Sequence, residues 1–174
     1  MKRVALVVVA VLSAGAIACG QASAQTAKAE VRNAKGEMVG TLTLAQEPDG
    51  VRLTVEVSNL SPGFHGFHIH AVGKCEAPFT SAAGHFNPGG QKHAHHAGDL
   101  PNLLVNADGR AFMVVKTARF KLEELFDADG KAITIHADPD NHANTPARYR
   151  PDPDASTLAT GDAGGRIACG VIGK

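Results

Sequence analysis

Residues 51–58 alternate strictly: Val51, Leu53, Val55 and Val57 are apolar, and Arg52, Thr54, Glu56 and Ser58 are polar. A period of two residues is that of a strand with one face buried and one wet, and it excludes a helix over this stretch. The preceding segment repeats the pattern, with Leu42 and Leu44 against Thr41 and Thr43, and Glu47-Pro48-Asp49-Gly50 between the two is a turn sequence. Residues 27–32, 64–71, 104–106, 111–116, 132–136 and 166–172 are further strand candidates, punctuated by Asp108-Gly109 and Asp129-Gly130. Residues 121–126 read as one helical turn. About eight short strands with few helical signals predict an all-β domain, a sandwich or barrel.

Two segments fall outside that pattern. Residues 74–102 are rich in Gly, Ala and His, and residues 137–165 in Asp, Pro, Ala and Arg. Loops this long in a compact domain are functional or disordered. Both begin next to side chains that bind metals, so both are read as functional.

Those side chains are His68, His70, His85, His93, His96, Asp99 and His136. His68 and His70 lie two apart in a strand pattern and project from the same face, as two ligands of one ion must. His65, at an odd spacing from His68, points the other way and reads as a hydrogen-bonded structural residue. His136 ends a separate strand. His85, His93, His96 and Asp99 occupy the first long loop, which has little apolar content to hold its shape; a bound metal would fix it, because binding energy is then folding energy. Imidazoles suit copper and zinc, and a carboxylate among imidazoles still suits zinc. A single histidine is most often an ordinary surface or core residue. A strand pair, a loop cluster and a distant strand end together point to two adjacent ions that share a ligand, and so to one-electron chemistry on a small substrate.

The N-terminus predicts export. Lys2 and Arg3 precede a mostly apolar run over residues 4–18, too short and too near the terminus for a membrane span. Two processing sites compete. Ala22-Ser23-Ala24 reads as an ordinary cleavage site, giving a signal peptide over 1–24 and a mature domain over 25–174. Ala16-Ile17-Ala18-Cys19 reads as a lipoprotein signal over 1–18, with Cys19 lipidated. The chain would then be periplasmic or extracellular, or anchored to a membrane through Cys19. Of three cysteines, Cys19 leaves with the signal or carries lipid; Cys75 and Cys169 remain, in an oxidising compartment most simply a disulfide, with two buried free thiols as the alternative. Basic and acidic residues number 17 each, and removing Lys2 and Arg3 leaves 15 against 17, a net of −2. That balance gives no basis for nucleic-acid binding.

Gly66-Phe67-His68-Ile69-His70, Gly84-His85-Phe86-Asn87-Pro88, His96-Ala97-Gly98-Asp99-Leu100 and the run from Gly164 to Ile172 resemble the copper–zinc superoxide dismutase family, in its exported bacterial branch. The likeness runs from about residue 30 to residue 173. It implies an eight-stranded Greek-key β-barrel with two long functional loops, one copper and one zinc per chain, and superoxide as substrate. At matching positions it implies copper ligands His68, His70, His85 and His136, and zinc ligands His85, His93, His96 and Asp99, with His85 bridging and active in catalysis. It further implies that Asp140 orients His68 and His93, that Arg166 attracts the anion, and that Cys75 and Cys169 form the family disulfide.

The chain departs from the better-known eukaryotic pattern in places. Four residues separate His70 from Cys75 and nine separate Cys75 from His85. The second loop carries Arg148 and Arg150 but no lysine, beside Asp138, Asp140, Asp152, Asp154 and Asp162, so the family's charge-guidance residues do not carry over. His95 and His142 have no assigned role and read as surface residues. The competing readings are a metal-holding protein without turnover and a purely structural β-domain. The first should lack a copper ligand or the arginine, and the second leaves seven ligand positions unexplained. The sequence leaves monomer and homodimer both open.

Overall fold

The computed structural model describes residues 25–144 and 153–174. The signal segment with Cys19, and Arg148, Arg150 and Asp152 of the second loop, lie outside the described residues. Nine strands are described: β1 Thr26–Asn33, β2 Met38–Glu47, β3 Gly50–Val57, β4 Gly63–His65, β5 Phe67–His70, β6 Leu103–Val105, β7 Ala111–Thr117, β8 Ala132–His136 and β9 Arg166–Val171. Seven form one curled antiparallel sheet in the order β5-β8-β9-β1-β2-β3-β7, and β4 pairs with β6 in a two-stranded ribbon. This is the expected all-β barrel architecture. Its ninth strand arises because the segment read as one strand over 64–71 is broken at Gly66. A side chain there would collide with Ala163, its Cβ falling 2.6 Å from that methyl, and its N–H donates to Asp138 O at 2.8 Å. The chain therefore turns at Gly66 so that the second loop can pack on it.

The period of two sets the core. Ala27, Ala29 and Val31 of β1, Leu42 and Leu44 of β2, and Val51, Leu53, Val55 and Val57 of β3 all point inward and are buried. The helical turn read over 121–126 is a 3-10 turn, Leu122–Leu125, which buries both leucines against this core. A four-residue helix, Thr157–Thr160, lies in the second loop.

Strands β5 and β8 differ from the rest because every residue in both is buried. Their register explains it. Phe67 faces Ile135 and Ile69 faces Ile133 on the core side, whereas His68 faces Thr134 and His70 faces Ala132 on the outer side. The two long loops cover that outer side, and the small partners Thr134 and Ala132 leave room for imidazoles. Cys75 and Cys169 are joined, with Cα atoms 5.6 Å apart and a sequence separation of 94. The bridge packs with Phe79, Ala82 and Ala132 in a small apolar cluster. It ties the first loop to β9, and closing so long a loop contributes about 4 kcal/mol in the chain-entropy account.

Candidate metal centre

Three groups of metal-grade side chains meet on the outer face of β5 and β8, the ligating atoms of each group lying within 4.8 Å of one another. They are His68, His70, His85 and His136; His85, His93, His96 and Asp99; and His68, His93 and Asp140. All eight of these residues are buried. His65 is outside the groups; its two ring nitrogens meet the carbonyl oxygens of His136 at 2.7 Å and Ser61 at 2.8 Å.

The hydrogen bonds decide where the lone pairs point. A carboxylate or a carbonyl only accepts, so the imidazole nitrogen facing it carries the proton and the other nitrogen is left with a lone pair. Asp140 Oδ2 accepts from His68 Nε2 at 2.7 Å and its Oδ1 from His93 Nε2 at 2.8 Å, so the neutral form of each ring presents its lone pair at Nδ1. Ala83 O accepts from His70 Nδ1 at 2.9 Å and Gly164 O from His136 Nδ1 at 3.1 Å, which frees both Nε2 atoms. The freed atoms find no conventional partner. His68 Nδ1, His85 Nε2 and His93 Nδ1 are buried without a hydrogen bond, and the Nε2 atoms of His70 and His136 stand 3.3 Å apart. Facing lone pairs repel unless a cation lies between them. Two nitrogens each ~2.05 Å from one tetrahedral ion are ~3.3 Å apart, so this spacing is that of a coordination edge.

The second group differs in that its carboxylate accepts a hydrogen bond from one of the imidazoles, His85 Nδ1, whose proton an ion would replace. His85 Nδ1 lies 3.2 Å from His96 Nδ1 and 2.8 Å from Asp99 Oδ1, and Asp99 Oδ2 lies 3.1 Å from His93 Nδ1 without the alignment of a hydrogen bond. His85 therefore gives Nδ1 to this group and leaves Nε2 for the first, where its ring centre is 4.0 Å from that of His68. The residues fit two ions, one held by imidazoles alone and one by three imidazoles and a carboxylate, the donor set that suits zinc.

For His68, His70 and His136 burial is the largest cause. It pushes the pKa of His68 down to about 3 against the hydrogen bond to Asp140, that of His136 down to about 4, and that of His70 well below the ordinary range. His93 goes the other way. Burial opposes its charge, but the hydrogen bond to Asp140 and the Asp99 carboxylate beside its other nitrogen outweigh that and raise it to about 9. Burial works against the charged forms of Asp99 and Asp140 as well, and the histidines around each hold its carboxyl well below the usual carboxylate range.

Arg166 sits at the start of β9, where its Cα pairs with that of His136. Its guanidinium donates to Phe79 O and Ala83 O of the disulfide-linked loop, and is half-buried. Several residues that hold the centre carried no signal in the sequence because their bonds involve main-chain groups. Asn102 makes two bonds to the Asp140 backbone, 2.8 Å to its O and 2.7 Å from its N. His142, exposed as expected, gives its main-chain N–H to Asp140 Oδ1 at 2.6 Å, and its ring lies parallel to that of His93. His95, also exposed, lies in none of the three groups.

Residues 38–172 match the family model described as copper/zinc superoxide dismutase. The chain belongs to the copper/zinc superoxide dismutase family. It is 41% identical over 180 residues to a copper–zinc superoxide dismutase of Mycolicibacterium paratuberculosis, a match covering 92% of this chain and 79% of that one. It is 47% identical over 138 residues to the enzyme of Mycobacterium tuberculosis, covering 70% of this chain and 58% of that protein's length. The solved structure of the copper/zinc superoxide dismutase from Brucella abortus superposes with a TM-score of 0.68 at 30% identity, covering 86% of this chain and all of the other.

Proposed function

We propose that the protein dismutes superoxide, converting two superoxide anions and two protons into dioxygen and hydrogen peroxide. The observation that carries this is the placement of His85, whose two ring nitrogens open into two different groups of buried ligand atoms. His68, His70, His136 and His85 Nε2 would hold copper; His93, His96, Asp99 and His85 Nδ1 would hold zinc. The chemistry that bound copper supplies is exchange of one electron with superoxide, while zinc supplies charge without redox change.

The chain's own residues supply the rest. Asp140 keeps one ligand of each group in the tautomer that presents Nδ1. His85 Nε2, a buried nitrogen with no protein donor, is placed to take up a proton and release it to the departing peroxide. Arg166 spends two of a guanidinium's five N–H groups on carbonyls among the described residues, and keeps a permanent charge beside His70 for the incoming anion. A metal-holding relative without turnover has no use for this half-buried cation beside the copper group.

Two further readings rest on the sequence. Export is supported by the N-terminal apolar run and by the disulfide, and anchoring by the position of Cys19 where that run ends. Mass spectrometry of the mature N-terminus separates a lipidated Cys19 from cleavage after Ala24. For the activity, the test is the decay of superoxide absorbance with protein loaded with both metals, with zinc alone, or with neither. The doubly loaded protein should be the fast one; equal rates in all three would overturn the assignment.

A further inference from the structure

The first long loop supplies His93, His96 and Asp99, yet it has no regular structure across them. Three of its main-chain carbonyls, those of Ala94, His96 and Asp99, turn toward a single atom outside the loop. Arg119 Nη1 lies 3.0, 3.3 and 3.2 Å from them in that order. Three carbonyl oxygens drawn to one point repel one another, and a cationic nitrogen between them removes the penalty. Nη1 carries two hydrogens, so at least one of the three contacts shares a hydrogen.

Arg119 is placed for this. It follows β7, and its own N–H is held by Thr117 Oγ1 at 3.2 Å. The next residue, Phe120, is buried in the core and packs edge-on against Phe86, the neighbour of His85. Two adjacent residues thus grip the ligand loop from two sides. Among the described residues no carboxylate pairs with Arg119, whereas its near neighbour Lys116 is committed to Glu47 and Asp49. Among the described residues the charge of Arg119 is directed at the loop alone.

We propose that Arg119 is a positioning residue for the zinc group: it locks residues 94–99 in the turn that brings His96 and Asp99 to His85 and His93. This rests on the assignment of zinc to that group. Removing an outer partner of a metal ligand typically weakens metal binding by about 10- to 100-fold. The test compares wild type, Arg119→Met and Arg119→Lys. Met keeps an unbranched apolar stem and removes all donors; Lys returns a cation with three. The readouts are the rate of zinc release to a coloured chelator, the visible spectrum of cobalt(II) loaded in place of zinc, and copper release from the same molecules. Arg119→Met should release zinc about tenfold faster and change the cobalt spectrum. Its copper release should be unchanged, and Arg119→Lys should fall between. Zinc release at the wild-type rate in Arg119→Met would overturn the proposal. Equal acceleration of zinc and copper release would overturn it too, because that is general destabilisation. A wild-type chain that takes up neither zinc nor cobalt would instead overturn the metal assignment, and this inference with it.

Discussion

His70 and Arg166 donate to the same oxygen, the main-chain carbonyl of Ala83. One acceptor in the first loop thus fixes His70 and Arg166 relative to each other, and the Cys75–Cys169 bridge holds that loop to the strand that carries Arg166. The guanidinium needs no ligand role to matter, since its charge is already felt at His70 and His136, where it helps to depress both pKa values.

Arg166→Ala should therefore keep both metals but lower the rate constant for superoxide by about tenfold or more, as loss of a guiding charge predicts. Arg166→Glu should lower it further. Raising ionic strength should slow wild type more than the alanine variant, because screening removes only what the charge supplied. Equal rates and equal salt slopes at equal copper content would count against a guiding role.

Gly161 should tolerate no side chain. Its φ of +62° already disfavours one, and a Cβ would fall 1.8 Å from Asp140 Oδ1 and 2.4 Å from His93 Nε2. Gly161→Ala must push apart the carboxylate and the imidazole that it orients. We expect zinc release to accelerate by about tenfold or more, measured by chelator competition. Unchanged zinc release would show that the Asp140–His93 contact is dispensable.

The strands and the seven candidate ligands were legible from spacing, whereas the division of those ligands into two groups, and Asp140, came with the family resemblance. Alternation at 51–58 marks a half-wet strand, and the two-residue step from His68 to His70 puts both imidazoles on the outer face of β5. What supports the ligands was not legible. Asn102 grips the main chain of Asp140, Gly161 leaves empty space and Ala83 offers a carbonyl, so no residue pattern marks them. Arg119 lies 20 residues beyond Asp99 in sequence and meets the loop only because β7 returns beside it. The break at Gly66 depends on Ala163, whose approach is set by the second loop.

Replacing Cys75 and Cys169 with serine should destabilise the domain by about 2–5 kcal/mol, read from denaturant unfolding of metal-loaded protein. The effect should reach the centre, because Cys169 and Arg166 share β9 and Arg166 bonds to Phe79 O and Ala83 O in the loop released. The variant should lose superoxide activity under milder denaturant than it loses its β signal. Coincident loss of both, with unfolding unshifted from wild type, would contradict this.

The two metal groups should differ in the protons they release. Near pH 7, His68 at about 3 and His136 at about 4 are already neutral, so copper displaces no proton from either. His93 at about 9 is an imidazolium between Asp99 and Asp140, and its Nδ1 must lose its proton before it can bind an ion. Zinc added to metal-free protein at pH 7 should therefore release about one proton more than copper displaces from His68 and His136 together. The same shifts set the stability of the metal-free domain. His68 and His136 are depressed below the ordinary value near 6.5, so their contribution is present above that pH and is lost as pH falls toward about 4 and then about 3. His93 is raised, so its contribution is full below 6.5 and is lost as pH rises through about 9. Metal-free protein should be most stable near neutrality and weaken on both sides, while zinc, by occupying His93 Nδ1, should remove the alkaline loss. Calorimetric titration with zinc in two buffers of different ionisation enthalpy counts the protons, and denaturant unfolding at pH 4, 7 and 10 tests the rest. Zinc uptake without proton release at pH 7 would mean that His93 is neutral in the metal-free domain and that Asp99 and Asp140 do not charge it.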